Sequence, residues 1–322
     1  MSSRAVAVMG AGAALAALAI LPTLSSTYLA TVVYQLFLFF IVAQSFDLVA
    51  GYMGYVNLGH YVFFGVGAYA FCIALVGNAP LVLAFAGAGL AALACALLLS
   101  YPLFRLRGDY FAFATLALLI LFQILATNLE GLTGGSNGIS LPPGYHLYAA
   151  YYLALAVAAA CLVVVRGLMR LRIGLAFLGI REDEQAAEIF GVPLLAHKVL
   201  GLGVSGAFAG VAGGIQAWTL SYIDPPTVFG MDVALVPIAM ALFGGSGTAA
   251  GPLVGVVALG LLEQGLWSRL RYLHVAVYGA ILILVGLLMP GGIARSGPWR
   301  RLAALRAGAP AGSGRAATGG GA

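Results

Sequence analysis

Runs of about twenty apolar residues recur along nearly the whole chain, and most of the charge falls in the short gaps between them. An α-helix needs about 20 apolar residues to cross the hydrocarbon core of a bilayer, so the pattern predicts helices that span it. The predicted segments are Ala5–Leu21, Thr31–Ala50, Tyr61–Val76, Leu81–Phe104, Tyr110–Leu129, Tyr148–Val165 and Val199–Leu220, then Met231–Phe243, Gly251–Leu266 and Val275–Met289. The fold class is therefore all-α, a polytopic membrane bundle of about ten segments. Met231–Phe243, interrupted by Pro237, would extend only about 20 Å as a helix, which predicts a half-helix with an interior break.

Composition strengthens this reading. Of the 322 residues, 62% are hydrophobic and only 8% charged, whereas a soluble domain carries roughly 25% charged residues. Lipid must solvate most of the surface. The net charge of +5 does not form one basic patch with interleaved aromatics, so nucleic acid is not an expected partner. Cys72, Cys95 and Cys161 lie inside apolar runs without a Cys-x-x-Cys spacing, so neither a disulfide framework nor a metal site is expected.

The basic residues carry the topology. Arg105 and Arg107 precede the fifth segment, Arg166, Arg170, Arg172, Arg181 and Lys198 fill the connection after the sixth, and Arg295 to Arg315 follow the last. Placing these sites in the cytoplasm makes Arg4 and both termini cytoplasmic, provided every segment crosses once. Arg269 and Arg271 are the exception, falling on the outside. The first run also has the look of a signal peptide, but a retained anchor preserves the parity. Residues 1–294 read as a membrane domain, and 295–322, rich in Gly, Ala and Arg, as a disordered basic cytoplasmic tail.

Segments two to five and seven to ten start on opposite sides, and each half holds a glycine-rich interruption, 51–60 and 244–252. Paired interruptions in halves of opposite topology point to an inverted repeat with broken helices and a site between the halves. Asn57 and His60 are costly against lipid, and irregular backbone at depth needs protein or a water-filled cavity over it. Asn57, Gly59, His60, Gly65, Gly244, Gly245 and Gly247 are accordingly expected to line a path. A plain capped turn with close glycine packing fits the 51–60 stretch as well. No second histidine is spaced to share a metal with His60. Thr248 is expected to cap the helix that Pro252 opens; the stretch lacks the Gly-Lys-Ser/Thr of a phosphate loop, so ATP binding is not expected here.

The connection Gly174-Leu-Ala-Phe-Leu-Gly-Ile-Arg-Glu-Asp-Glu-Gln-Ala-Ala-Glu-Ile-Phe-Gly-Val-Pro193 holds four of the ten acidic residues. A helix is predicted over Glu182–Phe190, stopped by Gly191 and Pro193, with Ile180, Ala187 and Phe190 on one face. The residues fit two readings: a solvated connector, or an amphipathic helix that docks into a soluble partner. The loops Glu130–His146 and Ser221–Gly230 likewise read either as ordinary turns or, through Glu130 and Asp224, as a receiving face for an external protein.

This connection resembles the cytoplasmic loop of the LivM-like permeases of branched-chain amino acid ABC transporters. Further blocks match in the same order: Leu106-Arg-Gly-Asp-Tyr-Phe-Ala-Phe-Ala-Thr-Leu116, Leu132-Thr-Gly-Gly-Ser-Asn-Gly-Ile139, Gly206-Ala-Phe-Ala-Gly-Val-Ala-Gly-Gly214 and Phe243–Gly255. The resemblance implies a coupling helix that contacts an ATPase through Arg181, Glu182, Asp183, Glu184, Ala186, Ala187, Glu188 and Gly191. In the broader Glu-Ala-Ala-x-x-x-Gly signature Gln185 replaces the glutamate. It also implies a second related permease subunit, two cytoplasmic ATPase subunits and a periplasmic substrate-binding protein as partners. No catalytic residue or cofactor is implied, and the expected cargo is leucine, isoleucine and valine, with urea, short amides and small carboxylates as relatives' alternatives. An ion-coupled transporter would need acidic groups at mid-membrane, and Asp47 and Glu263 fall towards segment ends.

Overall fold

The computed structural model describes residues 3–269 except 143, 145 and 249; the predicted segment Val275–Met289 and the basic tail lie outside the described residues. The helices, in order, are α1 (Ser3–Leu24), α2 (Thr27–Met53), α3 (Tyr61–Val76), α4 (Leu81–Leu103), α5 (Asp109–Asn128), the single turn α6 (Glu130–Thr133) and α7 (Leu147–Arg170). There follow α8 (Arg172–Glu182), α9 (Glu184–Ile189), α10 (Leu194–Leu220), α11 (Pro225–Phe229), α12 (Met231–Gly245) and α13 (Gly251–Arg269). Six stretches are long and apolar enough to cross a membrane among the described residues: α2, α4, α5, α7, α10 and the continuous piece Pro225–Gly245. One short departure from all-α is a two-residue ladder, β1 (Ile139–Ser140) antiparallel to β2 (Tyr222–Ile223), which ties the two long loops together.

The centre is a pair of 27-residue helices, α2 and α10, that run antiparallel. Tyr34 meets Thr219 near one end, Ser205 donates to the Ser45 carbonyl at 2.6 Å midway, and Gly201 lies against Met53 near the other. The elements that follow them match in kind. After α2 come a break, the 16-residue α3 and then α4; after α10 come a break, the 15-residue α12 and then α13. Each central helix packs on the opposite half, α10 against α3 and α4, and α2 against α12 and α13.

Close approach explains where the glycines and alanines fall. Ala84, Ala88, Ala92 and Ala96 repeat every fourth residue along α4, all fully buried, and face Gly206, Gly210 and Gly214 of α10. Lipid offers no hydrophobic drive between helices, so such small-residue stripes, by letting backbones touch, supply the packing energy. A Cβ on Gly210 would collide with Ala92 and the Ala88 carbonyl, and Gly67 of α3 approaches Gly210 from the other side.

Gly210→Leu should therefore destabilise the fold by about 1–3 kcal/mol or more through overpacking. Gly87→Ala, on the open side of α4 with nothing within 4 Å, should leave the thermal midpoint in detergent unchanged or higher. Equal midpoints for the two variants would contradict this packing.

Candidate functional site

The acidic connection folds as two helices rather than one. Asp183 takes an extended backbone, and its carboxylate accepts the N–H groups of Gln185 and Ala186 at 2.8 and 3.1 Å. An aspartate so placed is a strong N-cap, and it starts α9 in a new direction after α8 has ended. Of the three residues expected on one face, Ile180 and Ala187 are buried. Phe190 is not: the corner at Asp183 turns it outward, 86% exposed beside Ile189 at 84%. Gly191, at φ +81°, stops the helix, with the Val192 N–H reaching back to the Ala187 carbonyl at 3.0 Å. Glu188 and Glu182 are exposed, the latter 3.6 Å from Arg181.

One carboxylate moors α9 to the bundle. Glu184 accepts from Lys198 of α10 at 2.7 Å and from the Tyr55 hydroxyl, with Arg107 at 3.6 Å. Lys198 is itself buried, donates to Tyr55 at 2.7 Å and lies 4.7 Å over its ring, which packs edge-on against Phe104 and Phe111. Burial opposes the charge on Glu184, but the hydrogen bonds from Lys198 and Tyr55 and the fields of Lys198 and Arg107 outweigh it. The carboxyl is held below its ordinary range. Lys198, read from sequence as a topological charge only, is the anchor that sequence reasoning missed; its partner Tyr55 is 143 residues away.

A second link runs from α8. Arg181 Nη1 donates to the Gly51 carbonyl at 2.7 Å, near the end of α2. Gly247 lies against the same carbonyl, and its N–H and the Ser246 hydroxyl both reach Asp47 Oδ1 at 2.8 Å. Gly244 and Gly245 complete this linkage: Gly244 abuts Gly251 and Gly255 of α13, and Gly245 has φ +114°. Thr248 accepts the Gly251 N–H at 3.0 Å, as a cap should. A cleft of about 310 Å³ opens beside α9, lined by Gly54, Arg107 and residues 180–185.

The other glycine-rich stretch is re-entrant. His60 Nε2 lies 2.9 Å from Ser45 Oγ, so the chain between Met53 and His60 has climbed back beside α2 by about 12 Å of helix rise. Helix α3 thus starts deep in the bundle. Asn57 and His60 are buried, Gly59 is pressed on the Thr115 carbonyl of α5, and Gly65 on the ring of Phe229. Asn57 Nδ2 and His60 Nδ1 find no hydrogen-bond partner within the described residues. The structure therefore gathers Asn57, Gly59, His60 and Gly65 and sets Gly244, Gly245 and Gly247 apart, beside Arg181. A second re-entry went unread in the sequence. The Ser221–Gly230 loop dips back, Asp224 capping α11 through the Thr227 N–H at 2.9 Å and Phe229 stacking on Tyr69.

A family model described as "Branched-chain amino acid transport system / permease component" matches residues 28–286. The chain belongs to this permease family. The high-affinity branched-chain amino acid transport system permease protein LivM of Escherichia coli (strain K12) is 28% identical over 291 residues, covering 80% of this chain and 67% of that protein. Its counterpart in Salmonella typhimurium is 27% identical over 296 residues with the same coverage. A probable LivM of Methanocaldococcus jannaschii is 22% identical over 244 residues, covering 68% of this chain and 69% of that protein. No solved structure matches the chain. In this permease the matched stretch takes in both re-entrant segments and the moored helix α9.

The mooring carries a pH signature. Because the folded-state carboxyl of Glu184 is depressed, its stabilisation is complete above the unfolded value near 4.3 and is lost as pH falls through the lower folded value. The unfolding midpoint should fall more steeply below about pH 5 in the wild type than in Glu184→Gln. Lys198→Met, which leaves a largely buried carboxylate only the more distant Arg107 as a cation, should cost up to about 3–5 kcal/mol at neutral pH.

Proposed function

We propose that this chain is the membrane-spanning permease subunit of an ATP-binding cassette importer that carries branched-chain amino acids into the cytoplasm. It would pair with a second, related permease subunit, two cytoplasmic ATPase subunits and a periplasmic substrate-binding protein. The observation that carries the reading is helix α9: a capped, rigidly moored helix that presents Ile189 and Phe190 to a partner. Two large apolar side chains held outward next to exposed Glu182 and Glu188 are an anchor for a groove in a soluble protein, not for lipid.

Orientation follows from charge. Arg105, Arg107, Arg170, Arg172 and Lys198 all fall at the end of the bundle where α2 and α4 stop and α5 and α10 begin. Glu130 and Asp224 fall at the other end. The basic end is cytoplasmic by the positive-inside rule, which puts α9 on the side of the ATPase and both termini in the cytoplasm. The paired helix lengths and the crossed packing support an inverted repeat within about ten membrane segments.

Two measurements test this. The assembled complex in proteoliposomes should import leucine, isoleucine and valine with ATP hydrolysis; uptake driven by a proton gradient with no ATPase present would contradict it. Phe190→Asp should insert normally yet reduce co-purification of the ATPase by roughly tenfold or more, the scale of a lost anchor. Undiminished association would remove α9 from the contact.

A further inference from the structure

The two re-entrant segments approach the same space from opposite ends of the bundle. The first ends at His60 and leads into Tyr61 and Phe64 of α3; the second holds Thr227 of α11 and leads into α12. Between them lies a cavity of about 240 Å³ against the middle of α2, whose Leu38 and Val42 line it together with Gln35 and Gln216. Both halves of the chain contribute to its wall, as do both breaks.

The geometry points to this cavity as the station in which the transported amino acid rests within the permease. The inference rests on the proposed function and deepens it by naming where the cargo is held. Three features carry it. The wall is mixed: Leu38, Val42 and Phe64 offer an apolar surface to an aliphatic side chain, while Gln35, Gln216 and Thr227 offer uncharged hydrogen-bonding groups. One amide belongs to a polar cluster, since the Tyr34 hydroxyl lies 3.2 Å from Gln216 Oε1 and 2.8 Å from Thr219 Oγ1. The volume is below the roughly 300–1,000 Å³ of ordinary ligand pockets, so the occupant has only a few heavy atoms.

Among the described residues no charged side chain lines the cavity. A zwitterion carries no net charge, so amides and hydroxyls can hold both of its ends in place of water. A fixed ammonium or carboxylate would bind one end firmly and slow its release. Passage needs the opposite, a site favourable enough to enter and weak enough to leave. The ligand class is thus a small α-amino acid with a branched aliphatic side chain.

Val42 is part of the apolar wall, and substituting it tests the assignment by selectivity. Import of isoleucine and of valine is measured separately in proteoliposomes holding the whole importer, normalised to assembled complex. Val42→Phe should lower the isoleucine-to-valine ratio by roughly tenfold, the scale of one methylene in an apolar pocket, and Val42→Ala should raise it. A ratio that stays at the wild-type value in both variants overturns the station while leaving the importer reading in place. A wild-type assembly that imports none of the three branched-chain amino acids would sink that reading, and this inference with it.

Discussion

A helix that stops inside a bilayer leaves amide and carbonyl groups that hydrocarbon cannot hydrogen-bond. Among the described residues the chain has two interior breaks of this kind, where it re-enters the bundle after Met53 and after Leu220, and the architecture follows from the need to cover them with protein. The first is walled by α5, where Gly59 meets the Thr115 carbonyl, and by α2, where Ser45 takes His60. The second is closed by its own Asp224 cap and by α3, where Phe229 fills the space that Gly65 leaves. The first half thus covers its own break and, through α3, helps to cover that of the second. Two halves so related cannot be pulled apart without exposing unsatisfied backbone. The alanine and glycine stripes of α4 and α10 are the means by which they come close enough to do this.

The segments themselves were legible from hydropathy, and Tyr61–Val76 was read to the residue. Length and apolar content are local quantities. What the pattern hid was orientation about each helix axis, because lipid and protein interior are equally apolar and leave no amphipathic stripe to read. The re-entrant 221–230 stretch shows the cost. Its prolines and Asp224 are turn chemistry in a loop and cap chemistry in a buried helix alike, so the sequence could not separate the two. Phe190 was placed on one face with Ile180 and Ala187 by helical spacing, and one extended residue, Asp183, broke the spacing. The paired interruptions were half legible. The stretch 51–60 is a break at depth, but its structural counterpart is 221–230, while 244–252 serves as the linkage at the basic end.

Lys198 and Glu184 are unusual in a chain with so few charges, and they were invisible to local reasoning because their partners come from four separate elements. A buried ion pair adds little net stability over an apolar pair of the same shape, since desolvation consumes most of the attraction. Its value lies in direction. A carboxylate held by an ammonium, a phenol and a guanidinium fixes both the position and the tilt of a six-residue helix that has only Ala187 buried. Apolar burial over so small an area would let α9 slide.

That economy of contact bears on how force would travel under the proposed function. Displacing α9 pulls on Tyr55, the second residue of the first break, and on Lys198, one turn into the helix that leads to the second. Displacing α8 pulls, through Arg181, on the Gly51 carbonyl and so on the strand of backbone that Asp47 fastens to Gly247. These attachments are polar and directional, whereas the α3–α4–α10 packing is a broad contact of small side chains that resists compression. A push from outside the membrane is therefore transmitted to the backbone on either side of the breaks before it deforms the helices between them. The breaks are the compliant places, and they are the places that the two moorings grip.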